Sequence, residues 1–204
     1  MKLYYSPGAC SLADHIVLEW IGKPYEAVRV SRDERKLPGF LKLNPAGAVP
    51  VLQDGDWTLT QNAAILNFLA DTFPEAGLGG DGTPKGRAEV NRWLAFVNSD
   101  MHPAFKPLFG TLAWLGDDAA IEKGKGVARK TLRGMFERID AQLAGNDWIA
   151  GSRSIADPYL YVVTRWAKGN DIDLSGLGNL ENFIARIESD AAVQRVLKAE
   201  AVAS

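Results

Sequence analysis

A mixed α/β unit followed by an all-helical half is the fold class this sequence predicts. Three observations lead to it. Short strand-like runs alternate with helical spacings up to about residue 73, a stretch over 74–86 carries five glycines and two prolines, and only helical periodicity follows. The expected boundaries are therefore an α/β unit over 1–73, a linker over 74–86 and a helical unit over 87–204.

Taken in order, "KLYY" (2–5) is a short strand, and from Leu12 the apolar positions Leu12, Ile16 and Trp20 fall four apart until Gly22 stops the helix. "YEAVRV" (25–30) returns to strand, an order that fits a right-handed parallel crossover. In "VPVLQDGDWTLT" (49–60) two apolar runs flank Asp54-Gly55, a pair that favours a tight hairpin turn, so these strands should be antiparallel. A last helical pattern follows Thr60 through Ala64, Ile65, Phe68 and Leu69. Beyond the linker, four stripes mark helix faces: Val90, Leu94, Val97 and Met101; Leu132, Met135, Ile139 and Leu143; Leu160, Val163 and Ala167; and Leu180, Phe183, Ile184 and Ile187. "SIAD" (154–157) has capping-box spacing, with Pro158 in the first turn behind it.

The 23 basic and 25 acidic side chains are scattered and leave a net charge of −2, with no basic stripe to follow a phosphate backbone, so no nucleic-acid partner is expected. No run approaches the ~20 apolar residues of a membrane span, and "MKLYYSPGAC" lacks the apolar run of a signal peptide, so a cytoplasmic protein without a membrane partner is expected. One cysteine and two distant histidines, His15 and His102, suggest neither a disulfide nor a metal centre.

The chemistry gathers at the first helix. Ser11 and Asp14 have capping-box spacing, which makes Ser11 the N-cap and places Cys10 just outside, facing unpaired amides. Partial positive charge there lowers a thiol pKa, whereas the Asp14 carboxylate opposes it. Two readings of Cys10 follow, a reactive thiol or a small buried hydrophobe. Pro50 at a strand start admits a cis peptide and leaves the Val49 backbone free to pair with an extended peptide ligand. Thr60, as N-cap, sets Gln61 and Asn62 beside free backbone donors, either as an anion site or as a simple cap. Pro103 disfavours helical geometry at His102. His15 reads as structural, and Trp166 sits on a core-like stripe.

These segments resemble the cytosolic glutathione S-transferases, and among them the bacterial beta class. The likeness covers nearly the whole chain and rests on "KLYYSPGACSLADHIVL" (2–18), "LNPAGAVPVL" (43–52), "LTQNAAILNFLAD" (59–71), "WLAFVNSDMHPAFKPLF" (93–109) and "AGSRSIADPYLY" (150–161). The resemblance implies a thioredoxin-like N-terminal domain, a helical C-terminal domain, a homodimer, and glutathione as co-substrate without a metal. It implies Cys10 beside the glutathione sulfur with Ser11 as the alternative hydroxyl, and His102 reaching in from the helical half. Val49 and Pro50, in cis, would hold the glutathione cysteine, Gln61 and Asn62 the γ-glutamyl end, and Arg35 the glycine carboxylate. Phe105 and Trp166 would wall an electrophile pocket. The implied reactions are conjugation of glutathione to small apolar electrophiles and reduction of glutathionyl disulfides through Cys10. An apolar-ligand binding protein and a glutathione-dependent isomerase are the competing readings. Asp14, Asn62, Ala95 and Pro103 depart from the residues common at those positions.

Overall fold

The computed structural model describes residues 1–202, with side chains through Ala201. Strand β1 (Lys2–Tyr5) leads through a Pro-Gly loop into helix α1 (Ser11–Ile21) and back into β2 (Glu26–Arg29), which pairs parallel to β1. Period-two alternation explains β1: Leu3 and Tyr5 are buried in the main core, while Lys2 and Tyr4 point to the opposite face, where Tyr4 packs on Phe40. Helix α1 ends at Gly22, whose φ of 71° closes the last turn with a bond to the Leu18 carbonyl. A short helix α2 (Pro38–Leu43) precedes the hairpin of β3 (Val51–Asp54) and β4 (Trp57–Thr60), followed by α3 (Asn62–Thr72). The sheet order is β2-β1-β3-β4, with β3 antiparallel to both neighbours. The expected crossover and hairpin are both present. The turn lies one position later than its sequence signal: Asp54 pairs with Trp57, so Gly55-Asp56 is the loop and Gly55 supplies the positive φ of 59°.

The predicted linker is not a free tether. Pro74–Ala76 forms a 3-10 turn, Leu78 is buried, and the Leu78 carbonyl accepts from Ile155 N at 3.0 Å. Helix α4 (Pro84–Ala95) already begins inside the glycine-rich stretch, because Pro84 suits a first helical turn and Thr83 Oγ1 caps Gly86 N at 3.0 Å. After α4 the chain widens into a π-helical turn, Phe96–Met101, before the short α5 (His102–Ala104). His102 has helical angles of −56° and −48°, contrary to the bend expected from Pro103. The π turn gives the physical reason: it relieves the clash a proline ring makes with the carbonyl four residues earlier in an ordinary helix.

The remaining helices are α6 (Asp118–Leu143), α7 (Ala156–Gly169), α8 (Gly178–Ser189) and α9 (Ala191–Val202). The expected stripes face inward, except that in α6 Phe136 takes the fully buried position beside a partly exposed Met135. Ala156 through Thr164 are all buried, so α7 is the central helix, packed on α1 from the α/β half. One continuous apolar core runs from Leu3 and Leu12 to Phe183 and Val196, so the two halves share a core. The "SIAD" capping pattern forms: Asp157 accepts from Ser154 N at 2.7 Å, Ser154 Oγ at 2.9 Å and Ile149 N at 2.9 Å. Among the described residues no helix is long and apolar enough to cross a membrane.

Candidate active site

Cys10 lies where β1 hands the chain to α1. It occupies the N-cap position with helical angles of −60° and −22°, and neither it nor Ser11 caps the helix with its side chain. The capping box expected of Ser11 and Asp14 is therefore absent. Ser11 is fully buried and turned away, accepting from Ser6 N at 3.2 Å and donating to Ser6 O at 3.3 Å. That exchange fastens the Pro-Gly loop to the helix start and removes Ser11 as a rival hydroxyl.

The Cys10 thiol donates to the Val49 carbonyl at 3.6 Å, so one of the backbone groups expected to be free is engaged. The Val49–Pro50 peptide is cis. From α3, Asn62 Nδ2 donates to the Cys10 carbonyl at 2.8 Å, while Asn62 Oδ1 is buried without a partner. The N-cap of α3 is Gln61, not Thr60, which is the last residue of β4. Gln61 has a φ of 75°, a conformation that costs a non-glycine residue about 1–3 kcal/mol and is retained mainly at functional sites. It turns the chain sharply from strand to helix and leaves the Gln61 side chain exposed beside an N-terminus that no side chain caps.

The helical half contributes His102. Its Nδ1 lies 2.6 Å from the Tyr159 hydroxyl, which reaches Asn98 Oδ1 at 3.4 Å. Burial and then the Lys106 ammonium hold the imidazole below its usual pKa, so it is neutral near pH 7. Tyr159→Phe is expected to lower kcat/KM for the glutathione that the resemblance implies about fivefold in steady-state kinetics, the equivalent of one ordinary hydrogen bond of about 1 kcal/mol.

Cys10, Val49, Pro50, Gln61, Asn62 and His102 all line one cavity of about 280 Å³ between the two halves. Arg35 does not line it; it lies in a 3-10 turn with Nε buried and unpartnered. Lys106 is the cation on the cavity wall. Phe105 is fully buried and cannot wall a ligand pocket, because it lies behind Phe109 and Trp166. Trp166 is also absent from the cavity lining: its Nε1 donates to the Gly8 carbonyl at 2.8 Å, and its ring backs His102 at 4.7 Å. The more exposed aromatic of this group is Phe109, 48% exposed. Asn98, Lys106 and Tyr159 were not singled out from sequence. The four-residue spacing of 98, 102 and 106 is the sequence signal for the first two, and Tyr159 has none beyond its place in the first turn of α7.

The groups around Cys10 do not activate it. Burial pushes the thiol up to about 11, outweighing the help from Asn62 and the amides of Cys10 and Ser11; Asp14 adds to the rise. The lowering expected from the helix end alone is thus overturned by desolvation.

The profile described as "Glutathione S-transferase, N-terminal domain" matches residues 1–71. The chain is 56% identical over 201 residues, 98% of each chain, to glutathione S-transferase GST-4.5 of Xanthomonas campestris pv. campestris. The chain belongs to the glutathione S-transferase family. Its fold superposes on a glutathione S-transferase from Xylella fastidiosa with a TM-score of 0.96 at 51% identity, covering 98% of each chain. It superposes on a sphingomonad glutathione S-transferase complexed with glutathione with a TM-score of 0.88 at 38% identity, covering 99% of this chain and 100% of that one. This transferase therefore has the family's thioredoxin-like α/β domain and helical domain, and the two meet at the Cys10 cavity.

Gly8, two residues before Cys10, ties the site to the end of the chain. Its N–H donates to Glu200 Oε2 at 3.2 Å, and Glu200 Oε1 lies 3.0 Å from His15 Nδ1, with both side chains buried. Both polar backbone groups of Gly8 are thus held by the helical half, its N–H by Glu200 on α9 and its carbonyl by Trp166 on α7.

Proposed function

We propose that this transferase binds glutathione in the Cys10 cavity and joins its sulfur to small apolar electrophiles, as a cytoplasmic, beta-class homodimer. The observation that carries this reading is the convergence of Cys10, Val49-Pro50, Gln61-Asn62 and His102, from segments distant in sequence, on one cavity. An extended tripeptide would exchange backbone hydrogen bonds with Val49, displacing the long thiol contact to its carbonyl. The γ-glutamyl carboxylate would meet the uncapped N-terminus of α3, with the Gln61 amide oxygen accepting from its ammonium group. The ligand sulfur then lies beside Cys10 and His102. The neutral His102 ring can donate a hydrogen bond to the glutathione thiolate, and Lys106 adds positive charge nearby. The thiolate attacks an electrophile held against it, and proximity supplies most of the rate.

The test is calorimetric titration with glutathione together with conjugation of an aryl chloride. The expected outcome is a dissociation constant tighter than about 1 mM and turnover above the uncatalysed rate, both lost in Cys10→Trp, whose bulk fills the cavity. Weaker binding without turnover, alongside tight uptake of an apolar dye, would instead make the protein a ligand carrier.

A further inference from the structure

One buried polar group in this region lies outside the cavity lining. Asp14 is fully buried in the first turn of α1, and neither carboxyl oxygen has a hydrogen-bond partner. Cys10 has helical angles, so Cys10 and Asp14 stand at i and i+4, about 5–6 Å apart at Cβ on one face of the helix. Asp14 is not part of the cavity lining, so it approaches the thiol from behind, on the side away from a ligand.

We propose that Asp14 is a positioning residue that adds to burial in keeping Cys10 in its thiol form, confining the site to chemistry by glutathione's own sulfur and suppressing exchange in which Cys10 itself attacks. This rests on the glutathione reading above. The groups facing the pair offer no compensating cation. Helix α3 presents the uncharged Asn62, whose Oδ1 is also unpartnered, and α7 presents Tyr159. On α1 the next residue, His15, is committed to Glu200 of α9. His102 and Lys106 stand across the cavity, where a ligand would come between them and Cys10. The carboxyl ionises before the thiol, and a thiolate at Cys10 beside the ionised Asp14 would place two negative charges on one helical turn without a partner for either, so the thiol keeps its proton. A glutathione sulfur held in the cavity would lie towards His102, away from Asp14, and would escape the penalty.

The suppressed reaction is thiol–disulfide exchange through Cys10. The Cys10 thiolate attacks the glutathionyl sulfur of a mixed disulfide, the old S–S bond breaks, and the other thiol leaves as its thiolate and takes up a proton. A second glutathione thiolate attacks the new Cys10–glutathione disulfide, releasing Cys10 and oxidised glutathione, so the two electrons come from glutathione.

Cys10 is the only cysteine, so the pH profile of its alkylation by iodoacetamide reads one group and needs no glutathione. Wild-type protein should inflect well above the ~8.5 of a free thiol. Asp14→Asn should shift the profile downward and raise the rate at pH 8 about 3- to 10-fold, the span between a tenfold gain in thiolate per unit and its reduced nucleophilicity. Reduction of a glutathionyl mixed disulfide should rise by a similar factor, and Cys10→Ser in the Asp14→Asn background should remove the gain. If Asp14→Asn does not fold, Asp14→Ser carries the same expectation; if neither folds, Asp14 is a structural residue and the proposal falls. A wild-type rate at or above that of free glutathione, or a variant profile that does not move, overturns the proposal. If alkylation shifts but glutathione does not bind, the glutathione reading fails and the role of Asp14 stands.

Discussion

Glu200→Ala is expected to lose about 3–5 kcal/mol of folding stability, the usual consequence of removing one member of a buried pair. It leaves His15 Nδ1 and the Gly8 N–H without an acceptor in a dry interior. For a chain of 204 residues a loss of this size lowers the melting temperature by roughly 10 °C, read by calorimetry or circular dichroism. Glu200→Gln keeps an acceptor for Gly8 and should lose less than half as much. The effect should extend beyond stability, because the same carboxylate holds the loop that presents Cys10. The surviving folded fraction of Glu200→Ala is expected to show a raised KM for glutathione.

Asp157→Ala ranks with it, at about 4 kcal/mol, because three donors lose their acceptor in the buried start of the central helix: Ile149 N, Ser154 N and Ser154 Oγ. The loss should depend on pH with a definite sign. Burial raises the Asp157 carboxyl from 3.8 to about 6, so between those values the folded state holds more protons than the unfolded state. The group's contribution is fully present below about pH 4 and is lost as pH rises through about 6. Urea unfolding of wild type and variant at pH 4.5 and 7 should show the wider gap at the lower pH. A gap that widens with rising pH would mean that Asp157 is held as a carboxylate throughout.

Much of the site was legible in the sequence because its residues sit at element boundaries with strong local signals. Cys10 precedes a helix, Pro50 opens a strand, and Gln61-Asn62 start a helix after a hairpin. Errors arose where a side chain had a choice of partner. Ser11 looks like a cap by spacing but bonds back to Ser6, since the close turn before α1 already satisfies Leu12 N and Ala13 N from the carbonyls of Ala9 and Cys10. Phe105 and Trp166 were aromatic and near the site, yet aromatic character does not tell which ring packs inward. Phe105 took the core and Trp166 found the Gly8 carbonyl, 158 residues away in sequence.

The sequence by itself determined the order and type of the elements, the parallel crossover, the hairpin and the location of the thiol. These follow from the period of apolar residues and from glycine and proline, which act over a few neighbouring residues. The tertiary structure alone decided how deeply that thiol is desolvated and what holds its loop. Desolvation of Cys10 depends on α3 and α7 closing over it, and the Gly8 loop is held by Glu200 from the far end of the chain. Electrostatic cost in a protein interior is set by whatever distant segments exclude water, and no local spacing encodes that.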